Sequence, residues 1–217
     1  MQTLYQLYSL ATPNGQKVSI LLEELQLSYE AHLIDISKGG QFTPEFIAIN
    51  PNSKIPALID PTGDKGKKLC IMESGAILVY LAEKYKKFIS PDPATRSKEL
   101  QWLFWQMGGA GPMFGQFGHF TVYADKKHDL SYGQLRYKTE AIRLLTVLDT
   151  QLSKHSYVAS DQLSIADFAI LPWITCLDGF YHARESLGLD QFNHINRWCT
   201  ELLSRKGLQK GMTICSR

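Results

Sequence analysis

At Ser90-Pro91-Asp92-Pro93 the chain changes character: strand-like and helix-like segments alternate before it, and only helical periodicity follows. The two prolines punctuate the sequence there, and 217 residues exceed a typical single domain of about 100–150. Two compact units are therefore expected, residues 1–87 with an α/β layout and residues 95–217 built from helices alone.

In the first unit, Leu4 to Ser9 suits a strand, and Thr12-Pro13-Asn14-Gly15 offers an N-cap with proline at the first helical position. Val18, Leu21, Leu22 and Leu25 then recur at i, i+3, i+4 and i+7, with Lys17, Glu23 and Glu24 on the other side of the helix. Tyr29, Ala31 and Leu33 alternate with Glu30 and His32, a second strand that a crossover helix sets parallel to the first. Beyond Lys38-Gly39-Gly40-Gln41, one or two helical turns span Pro44 to Ile49 and stop at Asn50-Pro51-Asn52. Ile55 to Ile59 and Leu69 to Met72 form an antiparallel pair across the turn-rich Asp60-Pro61-Thr62-Gly63-Asp64. Glu73-Ser74 opens a helix whose apolar face is Ile77, Leu78, Leu81 and Tyr85. The order βαβαββα is that of a thioredoxin-like domain.

In the second unit, Leu100, Leu103, Phe104 and Met107 mark a helix that Gly108-Gly109 and Gly111-Pro112 must bend or interrupt. Further helices run through Leu135, Ile142, Leu145, Leu148 and Leu152, from Ser164 to Leu177, and from Ile195 to Leu203. Ser164-Ile165-Ala166-Asp167 is a capping box with aspartate in the third position.

With 44% hydrophobic and 20% charged residues, the chain can bury a sizeable core. A formal charge of +2, with one short basic stretch from Lys65 to Lys68, provides no surface for nucleic acid or an anionic membrane. No apolar run approaches the roughly 18 residues of a membrane span, and Met1 does not lead into a signal-peptide pattern, so a cytoplasmic protein is expected. Cys70, Cys176, Cys199 and Cys215 form no CxxC pair and are too scattered for a zinc cluster. They are expected to be reduced, buried as small hydrophobes, and without a metal.

Lys54-Ile55-Pro56 ahead of a strand, Glu73-Ser74 at a helix start and the capping box from Ser164 to Asp167 together resemble the cytosolic glutathione transferase superfamily over nearly the whole chain. Within it, three segments resemble the bacterial nu class: Thr12-Pro13-Asn14-Gly15; Gly39-Gly40-Gln41-Phe42 with Pro44-Glu45-Phe46; and Leu100-Gln101-Trp102-Leu103-Phe104-Trp105-Gln106 running into Gly108-Gly109 and Gly111-Pro112-Met113. Shorter members of that class are described as disulfide-bond reductases. The resemblance implies glutathione, reduced or oxidised, as co-substrate, small-molecule disulfides or electrophiles as second substrates, and a homodimer.

It also implies a cis Ile55–Pro56 peptide that offers the Ile55 backbone to the cysteinyl part of glutathione. Ser74 and the exposed N–H groups of its helix would hold the γ-glutamyl carboxylate, Glu73 the ammonium, and Gln41 and Lys54 the glycyl end. Taken singly, Ser74 reads equally as an N-cap, Gln41 as a turn residue and Lys54 as a solvated charge.

The reactive centre is expected at Thr12 to Gly15, where helix N–H groups and the positive dipole end face the ligand sulfur, with Thr12 O–H and Asn14 N–H as donors. Tyr8 and Ser9 are the alternative hydroxyls. No cysteine stands near position 12 in sequence, so the nucleophile is the thiol of glutathione itself. Disulfide reduction then needs a second glutathione, for which the resemblance puts forward Arg136. Trp102, Trp105, Phe114, Phe117, His119 and Phe120 read either as core or as the wall of a second pocket. Two other activities stay open beside disulfide reduction: a glutathione transferase or peroxidase acting on electrophiles or peroxides, and a non-catalytic glutathione-binding regulator.

Overall fold

Tyr5, Leu7 and Ser9 are buried while Gln6 and Tyr8 occupy the opposite face, the alternation of strand β1 (Tyr5–Ser9). The structure is a computed structural model and describes residues 4–217; Met1, and with it the reading of the extreme N-terminus, lies outside the described residues. After α1 (Pro13–Glu24), β2 (Tyr29–Leu33) pairs parallel to β1, with Tyr5 opposite Tyr29 and Ser9 opposite Leu33. A single turn, α2 (Pro44–Ile47), precedes β3 (Ala57–Asp64), which is antiparallel to β1 with Tyr8 opposite Ala57. Next, β4 (Lys67–Met72) pairs antiparallel to β3, with Ala57 opposite Met72, and leads into α3 (Ser74–Tyr85). The sheet order is β2-β1-β3-β4 and the layout is the expected βαβαββα.

The β3–β4 reversal departs from expectation. Residues 60–64 continue the strand, with a shift of register between Asp60 and Asp64 where Pro61 is tolerated. The turn falls instead at Lys65-Gly66, whose φ angles of 48° and 85° suit a two-residue hairpin with the sheet's twist.

Contacts group the chain into the segment up to Ile89 together with Leu203–Arg217, and a second unit, Ser90–Leu202. The returning tail carries α10 (Lys206–Thr213), an amphipathic helix beyond the last one read from the sequence, packed along α1. Ser19 Oγ donates to the Gly211 carbonyl at 2.7 Å, and Gln16 Nε2 donates to that of Met212 at 2.9 Å. A Cβ on Gly211 would stand 2.5 Å from Ile20 Cα, so the helices meet backbone to backbone. Gly211→Ala is therefore expected to destabilise: overpacking against a rigid backbone costs about 1–3 kcal/mol, against about 1 kcal/mol recovered in helix propensity. Thermal denaturation should show a Tm lowered by a few degrees.

The second unit is helical throughout. Asp92 caps α4 (Pro93–Trp105), its Oδ2 accepting the Thr95 N–H at 2.8 Å. The glycines after Trp105 widen the helix into a π-type turn over Gln106–Ala110, which continues as α5 (Gly111–Gly118). There follow α6 (Ser131–Leu152), α7 (Ile165–Thr175), α8 (Arg184–Leu187) and α9 (Asn193–Leu203). Ala141, Leu144, Leu145, Leu148 and Leu152 form the buried stripe of α6, whereas Leu135 and Phe104, counted in the apolar patterns, are exposed.

The capping box is present. Ser164 Oγ accepts the Ala166 N–H at 3.3 Å, and Asp167 Oδ2 accepts the Ser164 N–H at 3.0 Å. Asp167 Oδ1 also takes the Val158 N–H and the Trp198 Nε1–H, each at 2.9 Å, so one buried carboxylate ties α7 to α9 and to the loop before it. Among the described residues no helix is long and apolar enough to cross a membrane.

Candidate functional site

Strand register gathers the candidate residues of the first unit. Because Tyr8 lies opposite Ala57, and Ala57 opposite Met72, the end of β1, the start of β3 and the end of β4 share one end of the sheet. The loop to Thr12, the segment Lys54-Ile55-Pro56 and the Glu73-Ser74 junction all open from that end. The same end of β2, at Leu33, releases the loop that carries Gln41.

Thr12 is the N-cap of α1, with extended backbone, and its Oγ1 accepts the Gly15 N–H at 3.3 Å. That leaves the hydroxyl proton for another acceptor. Asn14, second in the helix after Pro13, contributes an N–H that no intrahelical carbonyl can reach. A Cβ on Gly15 would lie 2.0 Å from the Leu10 carbonyl oxygen, so only glycine lets α1 start this close to the end of β1. The alternative hydroxyls sit differently. Ser9 is buried and donates to the Leu10 carbonyl at 3.3 Å; the Tyr8 ring is stacked on His32 at 4.5 Å, and burial raises its phenol.

Gln41 sits in a short turn over Gly40–Phe42, and its Oε1 is buried with no donor among the described residues. A buried acceptor left open in this way is what a ligand N–H would complete. Lys54 is exposed, and its carbonyl accepts from Asn50 Nδ2 at 2.6 Å. The Ile55–Pro56 peptide is cis, and the backbone of Ile55 lies beyond the last β1–β3 pair. Asn50, nearly fully buried, also accepts the Asn52 N–H at 2.9 Å, and Asn52 Nδ2 donates to Glu73 Oε1 at 3.4 Å. Asn50 and Asn52 thus brace two candidate groups, a role hidden behind their reading as helix breakers.

Glu73 is exposed and adopts φ 69°, ψ 117°, a region that costs a non-glycine residue about 1–3 kcal/mol and that clusters at ligand clamps. It occupies the N-cap position of α3 without a side-chain capping bond, so Ser74 is the first helical residue and not the cap. Ser74 is buried, and Lys17 Nζ donates to its Oγ at 3.4 Å.

Lys17 corrects the sequence pattern, which sets it on the polar side of α1: it is completely buried. The sequence pattern misses α3, which packs against α1 and whose Ser74 the amine reaches, while α10 covers the glutamates of α1. There Glu23 pairs with Lys210 at 2.9 Å and Glu24 with Arg205. Burial lowers the Lys17 amine to about 7, with the Glu73 charge pulling the other way.

The cysteines also differ from expectation, because Cys70 is exposed on β4. Burial pushes the Cys176 thiol up to about 11 and the Cys199 thiol up to about 12. The fold returns Cys215 to α1, its carbonyl accepting the Ala11 N–H at 3.1 Å, but burial raises this thiol too. Raised thiols are poor nucleophiles. Among the described residues no three His, Cys, Asp or Glu side chains are grouped to hold a metal ion.

In the second unit Arg136 is exposed on α6, its guanidinium 5.9 Å from the Tyr137 ring centroid. Of the aromatics, Phe114 and Phe117 are core, Trp102 packs edge-on against Trp105 at 5.1 Å, and Phe120 stacks on Tyr137 at 5.4 Å. His119 is exposed, its ring edge-on to Phe120 at 5.2 Å. Tyr123 and Phe180, exposed and 6.2 Å apart, form a further aromatic surface that the sequence patterns did not single out.

The family profile for the glutathione S-transferase N-terminal domain matches residues 4–83, and that for the C-terminal domain matches residues 119–206. The disulfide-bond oxidoreductase YghU of Escherichia coli (strain K12) is 46% identical over 217 residues, covering 96% of this chain and 74% of its own length. The disulfide-bond oxidoreductase YfcG of the same organism is 42% identical over 200 residues, with 92% and 90% covered. A crystal structure of a glutathione transferase from Pseudomonas putida, with one glutathione disulfide bound per subunit, superposes with a TM-score of 0.93 at 48% identity over 97% of this chain and 91% of that one. With both domains matched and these identities sustained along nearly its whole length, the chain belongs to the glutathione S-transferase family.

Proposed function

We propose that this protein is a glutathione-dependent disulfide-bond oxidoreductase in which the thiols of bound glutathione, rather than a protein cysteine, carry the chemistry. One observation supports this above all. The strand register collects the N-terminus of α1, the cis Ile55–Pro56 peptide and the strained Glu73-Ser74 junction at one end of the sheet. The disulfide-bond oxidoreductases among its relatives and a bound glutathione disulfide in a structural neighbour favour the same reading.

In this reading Thr12 O–H and Asn14 N–H hold the glutathione sulfur as thiolate. A free thiol with pKa near 8.5 is only a few per cent ionised at neutral pH, and each unit of depression is worth about 1.4 kcal/mol. Ile55 pairs with the cysteinyl backbone, Ser74 and the start of α3 take the γ-glutamyl carboxylate, Glu73 its ammonium, and Gln41 and Lys54 the glycyl end. The thiolate attacks a small disulfide, forming a mixed disulfide and expelling one substrate thiolate, which takes up a proton. A second glutathione, its carboxylate held by Arg136, attacks the glutathione sulfur of the mixed disulfide. Glutathione disulfide and the second substrate thiol leave, so two glutathiones are oxidised as one disulfide is reduced. We place the chain in the nu class, as a cytoplasmic homodimer; light scattering showing a monomer at micromolar concentration would contradict the dimer.

Side-by-side rates test the function. Disulfide reduction should exceed conjugation of glutathione to electrophiles and peroxide reduction; the reverse order favours a transferase or peroxidase, and affinity without turnover a regulator. Replacing Cys70, Cys176, Cys199 and Cys215 together by serine or alanine should leave the reductase rate within about twofold of wild type, as expected for raised or exposed thiols outside the chemistry. A folded but inactive quadruple variant would return the chemistry to a protein thiol, Cys215 first.

A further inference from the structure

Lys17 is a completely buried amine 3.4 Å from Ser74 Oγ, and the steps above give it no task. An ammonium shut away from water is unfavourable unless an anion offsets it. We propose that Lys17 is a positioning residue that couples glutathione binding to proton uptake: the γ-glutamyl carboxylate arriving at Ser74 favours the ammonium, which donates to Ser74 Oγ and turns the hydroxyl proton outward to that carboxylate. The inference rests on the reading of Ser74 as the site of the γ-glutamyl carboxylate.

The surrounding charges support the sign. α1 packs against α3 and α10. On the α3 side stand Glu73, Glu83 and Lys84, with Lys84 paired to Asp60, and Glu73 is the neighbour whose charge favours the Lys17 ammonium. On the α10 side stand Arg205, Lys206 and Lys210, with Arg205 paired to Glu24 and Lys210 to Glu23. The free protein, its amine lowered to about 7, holds Lys17 mostly neutral at mildly alkaline pH. A second negative charge beside Glu73 adds to the pull toward the ammonium, so binding takes up a proton, and affinity weakens as pH rises through this range.

The test is isothermal titration calorimetry with S-methylglutathione, whose sulfur carries no proton, in phosphate and in Tris, buffers of different ionisation enthalpy. Wild type should take up most of one proton per site at about pH 8 and little at about pH 6, with affinity falling about tenfold between these limits. Lys17→Met, checked for folding by circular dichroism, should bind without uptake and with nearly flat affinity. Binding by wild type with no uptake at the higher pH overturns the coupling and leaves the Ser74 site standing. Uptake that persists in folded Lys17→Met also overturns it, by assigning the proton elsewhere. Absence of binding at every pH overturns the site itself and the coupling with it.

Discussion

Thr12→Ala is expected to lower the glutathione-dependent reductase rate about 10²-fold, the loss seen when one donor to a developing anion is removed. Two effects must be separated, because Thr12 Oγ1 also accepts the Gly15 N–H, and deleting an N-cap costs about 0.5–2 kcal/mol of stability. Thr12→Ser keeps both the acceptor and the hydroxyl proton and should be much milder in rate and in Tm. If the alanine variant, still folded, turned over at the wild-type rate while Tyr8→Phe or Ser9→Ala lost activity, the reactive hydroxyl would be one of those. The geometry favours Thr12, since the Ser9 hydroxyl is already spent on the Leu10 carbonyl and the Tyr8 ring is packed on His32.

Arg136→Ala should weaken binding of the second glutathione by ten- to hundredfold, as a charge-assisted bond to a carboxylate is worth roughly 1.5–3 kcal/mol. Conjugation needs one glutathione and reduction through ligand thiols needs two, so the variant should lose reductase rate at limiting glutathione while conjugation barely changes. Titrations with reduced and oxidised glutathione, run beside both rates, read this directly. Equal loss of both activities, or loss of neither, would show that Arg136 does not hold the second glutathione. Its exposure on α6 leaves the guanidinium open to a ligand, with the Tyr137 ring as its aromatic neighbour.

Local rules carried the sequence a long way. Proline at the first position of α1, the alternation along β1 and the capping box from Ser164 to Asp167 are short-range signals, so element order and the α/β-then-helical plan were legible before any coordinates. The cis Ile55–Pro56 bond was expected only through the family resemblance, because no local rule distinguishes it from an ordinary trans peptide.

What tertiary structure alone decided depends on distance along the chain. Lys17 sits on the polar side of its helix by periodicity, yet it is buried with its amine at Ser74 of α3, while a tail nearly two hundred residues later folds back as α10 along the same helix. The same return brings Cys215 beside Ala11, where the sequence sees no cysteine nearby. Likewise Asn50 reads locally as a helix breaker, and only the folded loop shows it bracing Lys54 and, through Asn52, Glu73. A periodic pattern reports one buried face per helix; it cannot report a second face covered by an element far off in sequence, nor the hydrogen bonds that long-range closure makes possible.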